Sequence, residues 1–205
     1  MITDLPEESR QIVQNLRRFV DREVMPVASK MEHDNEYPAH LVEQMKEMGL
    51  FGILIPREYG GLGLNYVTYA AITEELSRGW MSLGGVINSH FVVAHAIAEF
   101  GTPDQKERYL PDLASGERRA CICMTEPNAG SDLQAIELSA TRDGDNYLLN
   151  GTKMFVTNGR HGNLYLVLGK TDKTADPPHR GMSTFIVEQG TSGCEVGPDI
   201  EKLGY

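Results

Sequence analysis

Apolar residues recur at helical spacing along the first part of the chain. Between Glu7 and Met31 they follow one another at steps of three and four, which places them on one face of a helix. This stripe consists of Ile12, Leu16, Phe19, Val20, Val24, Val27 and Met31. Pro26 lies within it and is expected to bend or divide the helix. A second helix is predicted with Pro38 in its first turn and Gly49 as a left-handed cap.

The helical pattern returns after a glycine-rich turn and continues to about residue 111. Residues 81–100 are the most apolar stretch, but they contain asparagine, serine and histidine side chains that would be costly at the centre of a bilayer. They therefore predict a buried helix and not a membrane span. Thr102 and Gln105 flank Pro103 in a capping-box pattern, which predicts a short helix that ends near Pro111.

After Arg119 the pattern changes to short runs typical of strands. Such runs occupy residues 120–124, 136–141, 147–149, 154–156, 164–168 and 184–187. Residues 143–146 and 150–151 supply turns between several of them. The predicted fold class is therefore α+β. An all-helical domain at residues 1–118 is followed by an antiparallel β-barrel or sandwich-like domain at residues 119–205.

Composition argues against some functions and narrows the expected location. The 205 residues carry a formal net charge of -10, which argues against nucleic-acid binding because that binding depends on cations that neutralise phosphates. The three cysteines lack the spacing of a metal site or a disulfide framework, so a reducing compartment is expected. Cys121 and Cys123 are interpreted as small core residues. The acidic N-terminus shows no signal or transit pattern, so we expect a cytoplasmic protein that does not bind membranes.

The first candidate for chemistry is the loop after the run at 120–124. Residues 124–132, Met-Thr-Glu-Pro-Asn-Ala-Gly-Ser-Asp, combine small residues, hydroxyl groups and backbone amides, and such a loop can cradle phosphate oxygens. An ordinary turn in which Ser131 and Asp132 cap the local backbone fits the same composition. Composition alone leaves both interpretations open.

The second candidate is residues 150–159, Asn-Gly-Thr-Lys-Met-Phe-Val-Thr-Asn-Gly. If residues 154–156 form a strand, Phe155 and Thr157 share one of its faces. Phe155 can then cover a flat ring while the Thr157 hydroxyl reaches a heteroatom at the edge of that ring.

The two segments together resemble the signature pair of the acyl-CoA dehydrogenase family. Residues 22–26 (Arg-Glu-Val-Met-Pro), 56–63 (Pro-Arg-Glu-Tyr-Gly-Gly-Leu-Gly) and 100–106 (Phe-Gly-Thr-Pro-Asp-Gln-Lys) stand in family-like order, so the resemblance covers essentially the whole chain. Family members have a helical domain, a central β-domain and a C-terminal four-helix bundle. The resemblance thus implies a chain truncated inside the β-domain, before that bundle.

The resemblance also implies a bound flavin adenine dinucleotide (FAD). The residues expected to contact FAD are Ile122, Met124, Thr125, Gly130, Ser131, Phe155, Val156 and Thr157. Ser131 is also expected to meet the thioester substrate, and no metal is expected. Two positions depart from the family pattern, because residue 155 is commonly tryptophan there and residue 122 is often aromatic.

The activity that the resemblance implies belongs to fatty-acid metabolism. It is the oxidation of an acyl-CoA thioester to its 2,3-enoyl form, with electrons passed to an electron-transfer flavoprotein. The expected assembly is a homotetramer. The family's proton-abstracting glutamate is expected beyond Tyr205, and Glu126 is disfavoured as a substitute because it is better placed to order its loop. Residues 88–90 either border the acyl pocket or satisfy the helical core. The alternatives left open are an acyl-CoA oxidase-like flavoenzyme and a noncatalytic, partner-binding remnant.

Overall fold

A computed structural model of the protein describes residues 5–200 and 202. The chain divides into two compact units. The first is helical and ends at Arg118, and the second contains the sheet and spans Arg119–Asp199. The combination of a helical unit and a following β-unit confirms the predicted α+β class.

The described part of the helical unit contains six α-helices. They are α1 (Glu7–Phe19), α2 (Met25–His33), α3 (Ala39–Glu47), α4 (Tyr66–Gly79), α5 (Met81–Phe100) and α6 (Pro103–Ser115). The break predicted at Pro26 is present, because a π-helical turn at Val20–Val24 separates α1 from α2. Proline lacks the N–H group that would continue an unbroken helix. Gly49, with φ 73°, follows α3 in the left-handed conformation expected of it.

Helix α6 continues past Pro111, so the predicted end at that residue is wrong. Pro111 lies inside the helix, which extends to Ser115 and is followed by Gly116 with φ 78°. The capping box at Thr102 and Gln105 is present. Leu110 and Leu113, on either side of the proline, are fully buried. Their burial offsets the backbone hydrogen bond that proline cannot make.

Helix α5 supplies much of the core of the helical unit, as predicted. Leu83, Ile87 and Val93 are fully buried along it. Within the described residues, α5 is the one helix whose length and apolar composition would suffice to cross a membrane, and 61% of its most apolar window is buried inside the protein. A buried core helix has the same length and composition.

The β-unit contains one five-stranded sheet among its described residues. Its strands are β1 (Ala120–Cys123), β2 (Ser139–Asp143), β3 (Asn146–Asn150), β4 (Leu164–Lys170) and β5 (Met182–Glu188). Strand β4 pairs antiparallel with β5 along its whole length, whereas β1 pairs with it in parallel from Ala120↔Leu164 to Cys123↔Val167. The sheet is mixed, which corrects the antiparallel pairing predicted from sequence. Glycine turns predicted the β2–β3 hairpin, but strands far apart in sequence carry no such signal.

Strands β1 and β2 follow one another along the same edge of β4. Strand β1 ends opposite Val167, and β2 joins β4 through the single pair Ser139↔Lys170. Leu168 and Gly169 therefore have no strand partner on this side. The side chain of Leu138, 5% exposed, packs over Gly169, where an added Cβ would lie 2.8 Å from Leu138 Cδ2.

Candidate functional site

The two motif segments lie side by side in the β-unit. The backbone N–H of Met154 donates a 2.8 Å hydrogen bond to the carbonyl of Thr125. The ammonium of Lys153 donates to the carbonyl of Met124 at 2.9 Å. Residues separated by almost 30 positions in the sequence thus form one small surface at the end of β1.

Strand β1 determines which side chains can reach that surface. Cys121 and Cys123 point into the core and are 0% and 5% exposed. Ile122 lies between them and is half-buried, so it occupies the opposite face of the strand. Met124, also half-buried, follows directly after the strand. The interpretation of Cys121 and Cys123 as small core residues is therefore confirmed.

Residues 126–131 form a tight turn and then an open stretch. The backbones of Glu126 and Ala129 exchange two hydrogen bonds, of 2.8 and 3.2 Å. Gly130 and Ser131 are exposed, and a Cβ added to Gly130 would meet no atom within 4 Å. The Asp132 side chain accepts a hydrogen bond from the Gln134 backbone, the local capping considered for this residue. Among the residues that the structure describes, the space beside Gly130 is open.

Residues 154–156 are not a strand, contrary to the prediction. Phe155 has φ 55° and Asn158 has φ 66°. Phe155 is also 59% exposed. Left-handed backbone at these positions breaks the alternation on which the shared face of Phe155 and Thr157 depended. Val156 instead packs against the core cluster of Cys121, Cys123 and Tyr165.

The loop after Phe155 is fastened to the sheet by Tyr165. The Tyr165 hydroxyl donates to the carbonyls of Gly159, at 3.0 Å, and Gly162, at 3.3 Å. Burial is the main cause that raises the pKa of Tyr165 to about 12, and it raises the pKa of Cys123 to about 12 as well. These groups stay protonated at neutral pH and support the loop as packing residues.

A buried ion pair between Glu126 and Lys153 joins the two motif segments. Glu126 Oε1 accepts from Lys153 Nζ at 2.8 Å, and both side chains are 7% exposed. The same carboxylate accepts from the backbone N–H groups of Glu137, at 2.6 Å, and Leu138, at 3.0 Å. Burial by itself would raise the pKa of Glu126, but these three hydrogen bonds outweigh it and lower that pKa below its usual range.

Residues 88–90 of the helical unit are occupied by local interactions. His90 is fully buried with its Nε2 3.1 Å from the Phe51 carbonyl oxygen, and Ser89 is 4% exposed. Asn88 accepts a hydrogen bond from the Tyr69 hydroxyl at 3.2 Å. These contacts match the structural interpretation of the three residues, and a contact with an acyl chain stays a prediction. Within residues 5–200 and 202, no group of three or more histidine, cysteine or acidic side chains could hold a metal ion.

Both parts of the chain match models of one protein family. Residues 6–117 match the family model of the acyl-CoA dehydrogenase N-terminal domain, and residues 121–205 match that of the middle domain. The chain belongs to the acyl-CoA dehydrogenase family.

Individual relatives in this family are similar over almost the whole chain. Mitochondrial isovaleryl-CoA dehydrogenase of Pongo abelii is 37% identical over 99% of the chain and 49% of its own length. A glutaryl-CoA dehydrogenase of Mycobacterium smegmatis, solved in complex with FADH2, superposes with a TM-score of 0.87 at 30% identity, over 97% of this chain and 50% of that one. A prolyl acyl carrier protein oxidase also superposes with a TM-score of 0.87 at 30% identity, over 97% of this chain and 53% of that one. The chain spans about half the length of the curated relatives it matches.

Sequence reasoning missed Lys153 as a site residue of this acyl-CoA dehydrogenase family member. Lys153 belongs to the second motif but has no predicted role, and Glu126 is predicted only to order its own loop. The available signal was the occurrence of a lysine and a glutamate in two segments that were expected to meet at one ligand. Opposite charges in segments that meet can pair with each other. The flavin contacts predicted at Ile122, Met124, Thr125, Gly130, Ser131, Phe155, Val156 and Thr157 stay predictions.

Proposed function

We propose that the protein containing this chain oxidises an acyl-CoA thioester to 2,3-enoyl-CoA with FAD as its cofactor. The observation that carries the proposal is the hydrogen bond between Met154 and Thr125, which holds the two motif segments in contact. Family membership supports the same reaction class. The identity of the acyl group does not follow from either observation.

The residues present at the junction fit a flat ring with polar edges. Phe155 presents an exposed aromatic side chain, and ring stacking is worth about 0.5–1.5 kcal/mol beyond simple burial. The Thr125 hydroxyl makes no hydrogen bond within the described residues, so it can donate to a ligand. The open space beside Gly130 leaves its backbone accessible to a phosphate or a thioester.

The chemistry that bound FAD supplies is acceptance of a hydride from the substrate β-carbon. The chain's own contribution is orientation and polarity. With FAD bound, Phe155 would cover one side of the ring, and the hydroxyl groups of Thr125 and Thr157 would stabilise negative charge at its edge. Ser131 and Gly130 would hold the polar part of the thioester substrate or the pyrophosphate of the cofactor.

Glu126 does not fit the role of the base that removes the substrate α-proton. Both of its carboxylate oxygens accept hydrogen bonds from the protein, and its lowered pKa makes it a poor proton acceptor. We assign this step to a glutamate C-terminal to Tyr205, as the family resemblance implies.

We further propose an electron-transfer flavoprotein as the electron acceptor, a homotetramer as the assembly and the cytoplasm as the location. The first two follow from the family resemblance. The third is supported by the cysteines, because Cys121, Cys123 and Cys194 are all free thiols.

The test is the visible spectrum and the intact mass of the polypeptide that carries this chain, purified natively. A flavin spectrum that bleaches anaerobically on addition of acyl-CoA thioesters, but not of free coenzyme A, is the expected result. Comparing isovaleryl, butyryl and glutaryl thioesters defines the substrate. A colourless polypeptide at the mass of 205 residues that takes up no FAD would overturn the proposal and favour the noncatalytic remnant.

An acyl thioester oxidase is the second candidate, because an oxidase superposes on this chain as well as a dehydrogenase does. The two functions differ in how the reduced flavin is reoxidised. Slow reoxidation by air and fast reoxidation by an electron-transfer flavoprotein indicate the dehydrogenase. Fast reoxidation by air with formation of hydrogen peroxide indicates the oxidase.

A further inference from the structure

The pair formed by Glu126 and Lys153 lies where the predicted flavin-contacting segments are joined. Lys153 directly precedes Met154 and Phe155, and Glu126 directly follows Thr125. Glu126 therefore adjoins one predicted ligand contact and Lys153 lies two residues before another, although neither side chain is exposed. Any movement of the pair moves the backbone of both contacts.

The pair connects three segments of the β-unit. Lys153 Nζ binds both the Met124 carbonyl, at 2.9 Å, and the Glu126 carboxylate, at 2.8 Å. The other bonds of the carboxylate, to the N–H groups of Glu137 and Leu138, fasten it to the chain that enters β2. The Lys153 side chain and the backbone bond between Met154 and Thr125 thus form two adjacent links between the same two segments.

Stability alone is a weak explanation for this arrangement. Burying two opposite charges costs desolvation energy that their attraction barely offsets, and apolar residues of similar size often stabilise a protein as well or better. A buried, fully hydrogen-bonded charge pair does fix one geometry, because any displacement leaves a charge without a partner. A site that must hold an aromatic ring and a hydroxyl at a set spacing benefits from such a constraint.

From this geometry we infer that Lys153 and Glu126 are positioning residues that set the spacing between Thr125 and Phe155 and so prepare the flavin-binding surface before the cofactor arrives. The inference rests on the proposed function, since it assigns the purpose of the spacing to FAD. Both side chains are buried, at 7% exposure. Both act through the backbone to which they are attached.

The experiment compares Lys153→Met, Lys153→Arg and Glu126→Gln with the unaltered protein, in the polypeptide that carries this chain. Methionine keeps the length of the lysine stem without its charge, whereas arginine keeps the charge. Glu126→Gln keeps one acceptor oxygen and guards against a Lys153→Met protein that does not fold. Arg180→Met, which removes a charge at an exposed position in the same unit, is the control.

Two quantities are measured for each protein. Hydrogen exchange of the Met154, Glu137 and Leu138 amides, without added cofactor, reports the links themselves. The dissociation constant of FAD and the position of its visible bands report the binding surface. We expect Lys153→Met and Glu126→Gln to speed the exchange and to weaken FAD binding roughly 10-fold or more, because small displacements of positioning groups carry effects of this order. Lys153→Arg should recover part of both losses, and Arg180→Met should change neither.

Three outcomes would overturn the inference, and they can be told apart. Unchanged exchange in folded Lys153→Met and Glu126→Gln proteins means that the links do not hold the segments. Faster exchange with unchanged FAD affinity and spectrum means that the pair supports the fold alone. If the unaltered protein takes up no FAD, the proposed function fails and the inference fails with it.

Discussion

The carbonyl oxygen of Thr125 accepts a hydrogen bond of 2.8 Å from the backbone N–H of Met154. This bond holds Thr125 beside Met154, the residue that directly precedes Phe155. The structure thus joins a hydroxyl group and an exposed aromatic ring that the sequence separates by 30 positions.

Replacing Thr125 with valine tests the role of its hydroxyl. We expect the free energy of unfolding to stay within about 0.5 kcal/mol of the unaltered value, because the hydroxyl has no partner within the described residues. FAD binding should weaken by roughly 3- to 10-fold, the effect of losing a bond worth about 1 kcal/mol. Flavin titration measures this change. Thr141→Val, at an exposed position of β2, should leave the affinity unaltered. Equal affinity in both variants would argue against a flavin contact at Thr125.

Gly130→Ala separates the needs of a ligand from those of the fold. Nothing lies within 4 Å of the added methyl group, so the protein should keep its stability or gain about 0.4–1 kcal/mol from a less flexible unfolded chain. A phosphate or thioester that approaches this backbone would be displaced by the methyl group. We therefore expect weaker binding of FAD or of acyl-CoA, measured by titration.

Gly197→Ala is the matched control for Gly130→Ala, because it also adds a methyl group into open space. Binding that is unaffected by both substitutions would show that no ligand approaches Gly130 closely.

Glu75 is a buried carboxylate that should stabilise the helical unit in a pH-dependent way. Its side chain is 4% exposed and binds Arg17 at 2.8 Å and Arg78. Burial by itself would raise the pKa of Glu75, but hydrogen bonds from the two arginines outweigh it and lower that pKa. We expect Glu75→Gln to cost about 1–3 kcal/mol at pH 7, less than a fully buried pair because both arginines remain partly exposed.

The sign of the pH dependence follows from the lowered pKa of Glu75. The ionised carboxylate stabilises the fold fully above the unfolded pKa of about 4.3, and this stabilisation is lost as the pH falls through the folded pKa. The difference from Glu75→Gln should therefore shrink in acid. Urea unfolding followed by the fluorescence of Trp80, the single tryptophan, measures it. Glu74→Gln, at an exposed neighbour, should have little effect, and an equal loss in both variants would refute the assignment.

The three cysteines should differ sharply in their reactivity. Cys194 is exposed, whereas burial raises the pKa of both Cys121 and Cys123 and keeps them as thiols. Alkylation of the native protein at pH 8 should add one label, at Cys194, and alkylation in denaturant should add three. Intact mass and peptide mapping count and locate the labels. Rapid native labelling of Cys121 or Cys123 would contradict their place in the core.

The helices were predictable where a local signal exists. Residues close together in the sequence predict three features of the helices. These are the capping box at Thr102, the glycine after α3 and the division at Pro26. The continuation of α6 past Pro111 could not be predicted in this way, because it depends on the burial of Leu110 and Leu113.

In the β-unit and the site, the failures share one cause. The parallel pairing of β1 with β4 joins residues more than 40 positions apart, and no turn residue announces it. At the site, the family resemblance identified the two segments, but the pairing of Lys153 with Glu126 joins residues 27 positions apart, and no local residue type marks the left-handed conformation of Phe155. Local sequence patterns describe the neighbours along the chain and not the neighbours across it.

The arrangement of β1 and β2 along one edge of β4 has a consequence for how this protein can change over evolutionary time. The stretch between Cys123 and Ser139 belongs to no strand pair, and its two ends are held separately, at Val167 and at Lys170. Insertions or deletions within it can alter the outline of the surface beside Thr125 without shifting the register of a single strand. The pairing of the strands and the shape of this surface can therefore change at different rates during evolution.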